Sequence, residues 1–170
     1  MYVIESYVDG VATIVNDVEN YRCPFRAETL EAAGAIVVSL NRPVLMVELA
    51  GYRLDFETRG LTTAGGLSIK TDRESQAQLN SAFTTLKYGL IPDTDWKGGN
   101  DWEVVNLDQI EPIAKLVAAH VRACFRGERL TQRAIAAAVT VEDIDSINIA
   151  KTFGAAYAVA FAEVMQPAGA

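Results

Sequence analysis

At 170 residues, half of them apolar and 22% charged, the chain has the size and make-up of one globular domain with at most a small appended part. That balance excludes disorder throughout. A formal charge of −7 argues against the whole surface serving as the basic footprint that a phosphate backbone requires, while permitting local basic patches, and nucleic acid is not an expected partner.

The start, Met1-Tyr2-Val3-Ile4-Glu5, lacks a basic segment followed by an apolar core. The longest apolar stretch, 149–165, contains Lys151 and Glu163 and falls short of the ~20 residues that span a bilayer. Both features predict cytoplasmic synthesis without membrane insertion.

Residues 2–8 and 11–15 flank Asp9-Gly10, a pair that tolerates the positive φ of a tight turn, and predict an antiparallel hairpin. Residues 26–33 place Ala27, Leu30 and Ala33 at helical spacing before Gly34, which predicts a short helix. Residues 35–40 and 44–49 are apolar runs separated by Asn41-Arg42-Pro43. Tyr52, Leu54 and Phe56 then alternate with Arg53, Asp55 and Glu57, the period of a strand with one wet face. Residues 60–66 read as a loop.

Thr71-x-x-Glu74 reads as a capping box opening a helix to about Tyr88, and Pro92 marks a stop. Trp96-Lys97 and residues 102–105 flank Gly98-Gly99-Asn100-Asp101 and predict a second hairpin. Asp108 and Glu111 open the next helix, with Pro112 in its first turn. Ile110, Ile113, Val117, Val121, Cys124 and Phe125 share one face of that helix and form the expected core. Gly127 is expected to kink or end it. Thr140-x-x-Asp143 caps a short helical turn, and 149–165 predict a last, alanine-rich helix before a loose tail.

The expected fold is α+β: an N-terminal antiparallel β-rich part, the tryptophan hairpin, then several C-terminal helices. Three parts follow: a β-rich module over 1–50 open to a docking role, a main domain over 51–149, and a helix and tail over 150–170. The boundary between the first two is placed broadly across 43–51.

No residue pattern supports catalysis. His120 is the sole histidine, with no nucleophile motif beside it, and reads as a half-buried, hydrogen-bonded side chain. Cys23 and Cys124 lack the spacing of a zinc or redox site. Asp93, Asp95, Asp101, Glu103, Asp108 and Glu111 do not follow a calcium loop and read as solvated turns and caps. The glycines at 65 and 66 match neither a P-loop nor a dinucleotide fingerprint, so no cofactor is expected.

Two surfaces suit contacts. Trp96 and Trp102 could meet a sugar or an aromatic; a three-residue loop sets them opposite each other, whereas a two- or four-residue loop sets them on opposite faces. At least one is expected in the core. Lys115, Arg122, Arg126, Arg129 and Arg133 fall on one line of a continuous helix and suit an acidic partner, either another subunit or the acidic segment 93–111.

Taken in order, Gly51-Tyr52-Arg53, the segment from Ile69 to Gln76, the tryptophan hairpin, His120-Val121-Arg122-Ala123-Cys124-Phe125 and the run after Ala136 resemble a domain of unknown function. That domain is common in proteins encoded beside tailed-bacteriophage tail genes, and the likeness covers about 51–149. The resemblance implies a non-enzymatic tail-associated structural or accessory protein, at the tail tip or fibre base, whose partners are other phage tail or tail-fibre proteins. The alternative is a tail-fibre assembly chaperone absent from the finished virion; a small enzyme or carbohydrate-binding module is the minor one. It brings no functional residue with it. Location follows: host cytoplasm during synthesis, then the virion tail. The symmetry of tails further implies a trimer or hexamer, with Phe153, Tyr157, Ala160, Phe161 and Val164 of the last helix as the associating face. The rival is that this helix covers the chain's own core.

Overall fold

The computed structural model describes residues 1–63, 66–97 and 102–166. Its architecture is α+β, with a three-stranded antiparallel sheet at the N-terminus followed by helices. The chain divides into two compact units. One comprises Met1–Tyr52 with Glu128–Phe153, the other Arg53–Gly127 with Gly154–Ala170.

In the first unit β1 (Val3–Val8), β2 (Val11–Asn16) and β3 (Tyr21–Arg26) form a meander of order β1-β2-β3. Asp9 and Gly10 both take positive φ, 48° and 73°, as the two-residue turn demands. A bulge between Ile4 and Ser6 lets Ile4 pair with Ile14 while Tyr7 pairs with Ala12, so both side chains face inward. No strand was expected over residues 21–26, which contain Pro24. The sheet tolerates that proline because β3 is an edge strand.

Helix α1 (Leu30–Thr58) replaces several expected elements: the short helix ending at Gly34, the break at Asn41-Arg42-Pro43 and the strand over 52–57. The deciding signal is long-range. Ala33, Val37, Asn41, Leu45 and Leu49 are all buried, at helical spacing straight through Pro43. The boundary placed across 43–51 therefore falls inside a continuous helix. Ala33 and Val37 pack on Ala12 and Ile14 of the sheet. Asn41 is fully buried, and its amide exchanges two hydrogen bonds with the backbone of Tyr2, at 2.7 and 2.9 Å. By length and composition α1 could also cross a membrane, but its buried face here carries Asn41 and Glu57.

The second unit holds the ribbon β4 (Leu61–Thr62) and β5 (Ser68–Ile69), helix α2 (Arg73–Lys87) and the hairpin β6 (Thr94–Lys97) with β7 (Trp102–Val105). The glycine pair at 65 and 66 lies partly outside the described residues. Gly60 takes a φ of +93°, and its N–H donates to the Thr71 hydroxyl at 2.9 Å. Thr71 is thus committed to Gly60, and the cap of α2 moves one place to Asp72, which accepts from the Ser75 N–H. The expected Thr71–Glu74 box is replaced for that reason.

Helix α3 (Leu107–Ala137) starts with a reciprocal Asn106–Gln109 cap rather than at Asp108, and it runs through Gly127 without ending. Its carboxyl end is capped from α1, since Arg42 donates to the Ala138 carbonyl at 2.6 Å. The Thr140–Asp143 capping box forms as expected and opens α4 (Val141–Asp145). Helix α5 (Ile149–Met165) completes the fold; the tail from 167 lies outside the described residues.

The core of the second unit gathers Ile69, Leu79, Leu86, Val105, Ile110 and Val117, with Ile113, Val121 and Trp96 packed against it. Cys124 is also fully buried. Phe125 departs from the expected core. It is 49% exposed, and the Arg53 guanidinium lies 4.9 Å over its ring. The helical stripe drifts by this point, so Phe125 falls one step beyond the buried face.

Candidate functional site: a groove between α2 and α3

His120, Cys124 and Tyr157 collect in one cluster, the first two of them buried. His120 is 1% exposed, and its Nε2 lies 3.0 Å from the Glu57 carbonyl, which can only accept. The proton therefore sits on Nε2, and Nδ1 accepts from the Tyr157 hydroxyl at 2.9 Å. His120 is more deeply buried than its helical position suggested. Burial holds its pKa below the ordinary 6.5, and the backbone bond to Glu57 only partly offsets this. The Cys124 thiol, 3.8 Å from Nε2, is pushed up to about 12 by burial, and so is the Tyr157 phenol. Thiol and phenol alike are held in their protonated forms, and both imidazole nitrogens are engaged.

Beside this cluster, the Glu57 carboxylate takes the Arg53 guanidinium at 2.6 Å and the Gln76 amide at 3.2 Å. Arg53 in turn stacks on Phe125. Sequence reading missed this set, because Arg53 and Glu57 had been placed on a strand. The i, i+4 spacing was the available signal.

The tryptophan hairpin forms with Lys97 opposite Trp102 and Trp96 opposite Glu103, so the two indoles lie on opposite faces. The connecting residues 98–101, whose number sets the relative facing of the two indoles, lie outside the described residues. Trp96 packs against the core, while Trp102 is 64% exposed with the Lys97 ammonium 5.8 Å from its ring. A recess of about 400 Å³ beside the hairpin is shallow and mixed in polarity.

Lys115, Arg122, Arg126, Arg129 and Arg133 all lie on α3, the continuous helix their alignment required. The first three belong to the second unit and the last two to the first. Arg122 already has a complement within the chain: it donates to the Ala160 carbonyl and the Glu163 carboxylate of α5, each at 2.9 Å. That contact holds the Glu163 carboxyl below its ordinary pKa. The acidic segment supplies a different pair, Glu111 with Lys87 at 2.9 Å. Among the described residues, no group of three His, Cys, Asp or Glu side chains could hold a metal ion.

A groove of about 1030 Å³ lies between α2 and α3. From α2 it takes Gln76, Leu79, Asn80 and Phe83, a single i, i+3, i+4, i+7 face. Helix α3 contributes an apolar wall of Ala114, Val117, Ala118 and Val121. Charge lies along the α3 rim, with Asp108 and Glu111 at one end and Lys115 and Arg122 at the other. Two of the five expected contact cations thus border an apolar groove. Its α2 wall is not marked by any local sequence signal, since the groove exists only once the two helices pack.

The last-helix face proposed for self-association is largely consumed within the chain. Phe153 and Ala160 are 0% and 1% exposed, and Tyr157 and Phe161 are half-buried.

No curated protein and no solved structure matches the chain. A family match covers residues 41–150, well over half of the length and starting within α1. The chain belongs to the family described as domain of unknown function DUF4376.

Proposed function

We propose that this protein is a non-enzymatic accessory component of a phage or prophage tail, at the tail tip or fibre base, that works through protein–protein contacts. The observation that carries the reading is the α2–α3 groove. It has apolar walls from two helices and a rim bearing both signs of charge, the anatomy of a helix-in-groove contact. The order of motifs along 51–149 supports the tail setting. The burial of His120 and Cys124 supports a structural rather than reactive use of those residues. In this reading the protein is made in the host cytoplasm and takes its place in the virion tail.

Mass spectrometry of purified particles tests the proposal. The chain at fixed stoichiometry is the expected result. Absence from particles together with co-purification of a fibre protein from lysate would assign it instead to assembly as a chaperone. Absence from both would overturn the tail setting. Ala118→Trp, which fills the groove from an exposed position, should expel the chain from particles while leaving its circular dichroism unchanged.

A further inference from the structure

Helix α1 presents an apolar stripe to solvent. Val47 and Leu54 are 75% and 40% exposed, and Ala50 and Gly51 are exposed between them. A Cβ added at Gly51 would meet nothing within 4 Å. Glu48 and Asp55, also exposed, each follow a stripe residue by one position, so both flank the stripe on the same side.

The groove wall on α3 repeats this pattern with opposite charge. Lys115 follows Ala114 and Arg122 follows Val121, again seven residues apart and on the same side of the apolar ridge. Two right-handed helices packed face to face bring such flanks together only when they run antiparallel. Glu48 then meets Arg122 beside its existing partner Glu163, and Asp55 meets Lys115. One turn further on, Arg59, whose N–H still makes the helical bond to Asp55, falls opposite Glu111. The groove runs from Asp108 to Arg122, about 21 Å at 1.5 Å per residue, and the stretch of α1 from Val47 to Arg59 is about 18 Å.

We propose that the groove's occupant is the exposed face of α1 from a second copy of this chain, packed antiparallel to α3. This rests on the reading of the groove as a protein-contact site and names the partner. Donor face and acceptor groove are different surfaces, so the contact is head-to-tail. It builds a closed ring if the rotation closes and a filament if it does not.

Charge reversal in the full chain, read by sedimentation velocity, tests the inference. The wild type should associate. Lys115→Glu and Asp55→Lys, each alone, set like charges opposite one another and should weaken association by about tenfold or more. In an equimolar mixture every contact between unlike variants carries an opposite pair, so an alternating assembly forms and the mixture should associate more tightly than either variant alone. Matching circular dichroism of all three chains shows that folding is intact. Variants that associate like the wild type, or a mixture no tighter than its components, would overturn the inference. A monomeric wild type overturns it as well, and Ala118→Trp then separates the two readings. If that variant is expelled from particles, another tail protein fills the groove and only the second-copy inference fails. If it is retained, the groove reading fails with it.

Discussion

The Tyr157 hydroxyl donates to His120 Nδ1 across 2.9 Å, tying α5 to α3, while Nε2–H of the same ring donates to the Glu57 carbonyl of α1. One imidazole, in its neutral form, thereby joins three helices of the second unit. Protonating Nδ1 would force the Tyr157 hydroxyl to turn from donor to acceptor and would place a charge on a ring that is 1% exposed.

Stability should therefore fall on mild acidification. Burial depresses the folded-state pKa of His120 below the ordinary 6.5, so between the two values the unfolded chain binds more protons. The contribution is complete above about pH 6.5 and is lost as pH falls through the folded-state value. Glu57 and Arg59 act on the ring with opposite signs and leave burial as the dominant cause. Urea denaturation at pH 7.5 and pH 5.5 should show the loss in the wild type and a smaller one in His120→Gln. Tyr157→Phe, which leaves Nδ1 unsatisfied, should cost about 1–3 kcal/mol at pH 7.5.

Asn41 supports the first unit in a comparable way. Its side-chain amide serves as a backbone surrogate, donating to the Tyr2 carbonyl and accepting from the Tyr2 N–H just before β1 begins. Asn41→Ala should cost about 1–3 kcal/mol in chemical denaturation, because both Tyr2 groups lose their partner. Hydrogen exchange should show the Tyr2 amide newly unprotected while the β2–β3 pairing persists.

The two thiols should separate cleanly in labelling. Cys124 is fully buried and burial pushes its pKa up to about 12, whereas Cys23 lies part-exposed on the edge strand β3. At pH 8 a maleimide should modify Cys23 in the native protein and reach Cys124 only after denaturant is added. Native labelling of Cys124 would show that the α3–α5 contact opens.

The parts of the fold written in local chemistry were legible in the sequence. Asp9-Gly10 dictates a hairpin by backbone geometry alone, and Thr140 with Asp143 caps a helix whatever surrounds it. Helix α1 was not legible because its local cues conflict with its long-range period. Asn41-Arg42-Pro43 looks like punctuation and 52–57 alternates, yet burial from Ala33 to Leu49 keeps helical spacing throughout. That single misreading hid the Arg53–Glu57 pair and the surroundings of His120. The charged rim of the groove was visible as a basic line on α3. Its apolar wall from α2 was not, because two helices must pack before a groove exists.

Arg53 and Phe125 show how the corrected placement changes an expected energy. As a core residue, Phe125 would cost about 3–5 kcal/mol on truncation to alanine. It is instead 49% exposed beneath the Arg53 guanidinium, so Phe125→Ala should cost about 0.5–1 kcal/mol, the worth of an exposed cation–π contact. Arg53→Ala is the harsher change. Arg53 and Glu57 form an ion pair whose side chains are 13% and 4% exposed, and removing the cation leaves the carboxylate buried beside the neutral Gln76 amide. A broken buried pair costs about 3–5 kcal/mol. In Arg53→Ala/Glu57→Gln the stranded charge is gone, so the double variant should be more stable than Arg53→Ala alone. Thermal denaturation of the four chains decides the matter: a double variant no more stable than Arg53→Ala would place the cost in lost packing rather than in the uncompensated carboxylate.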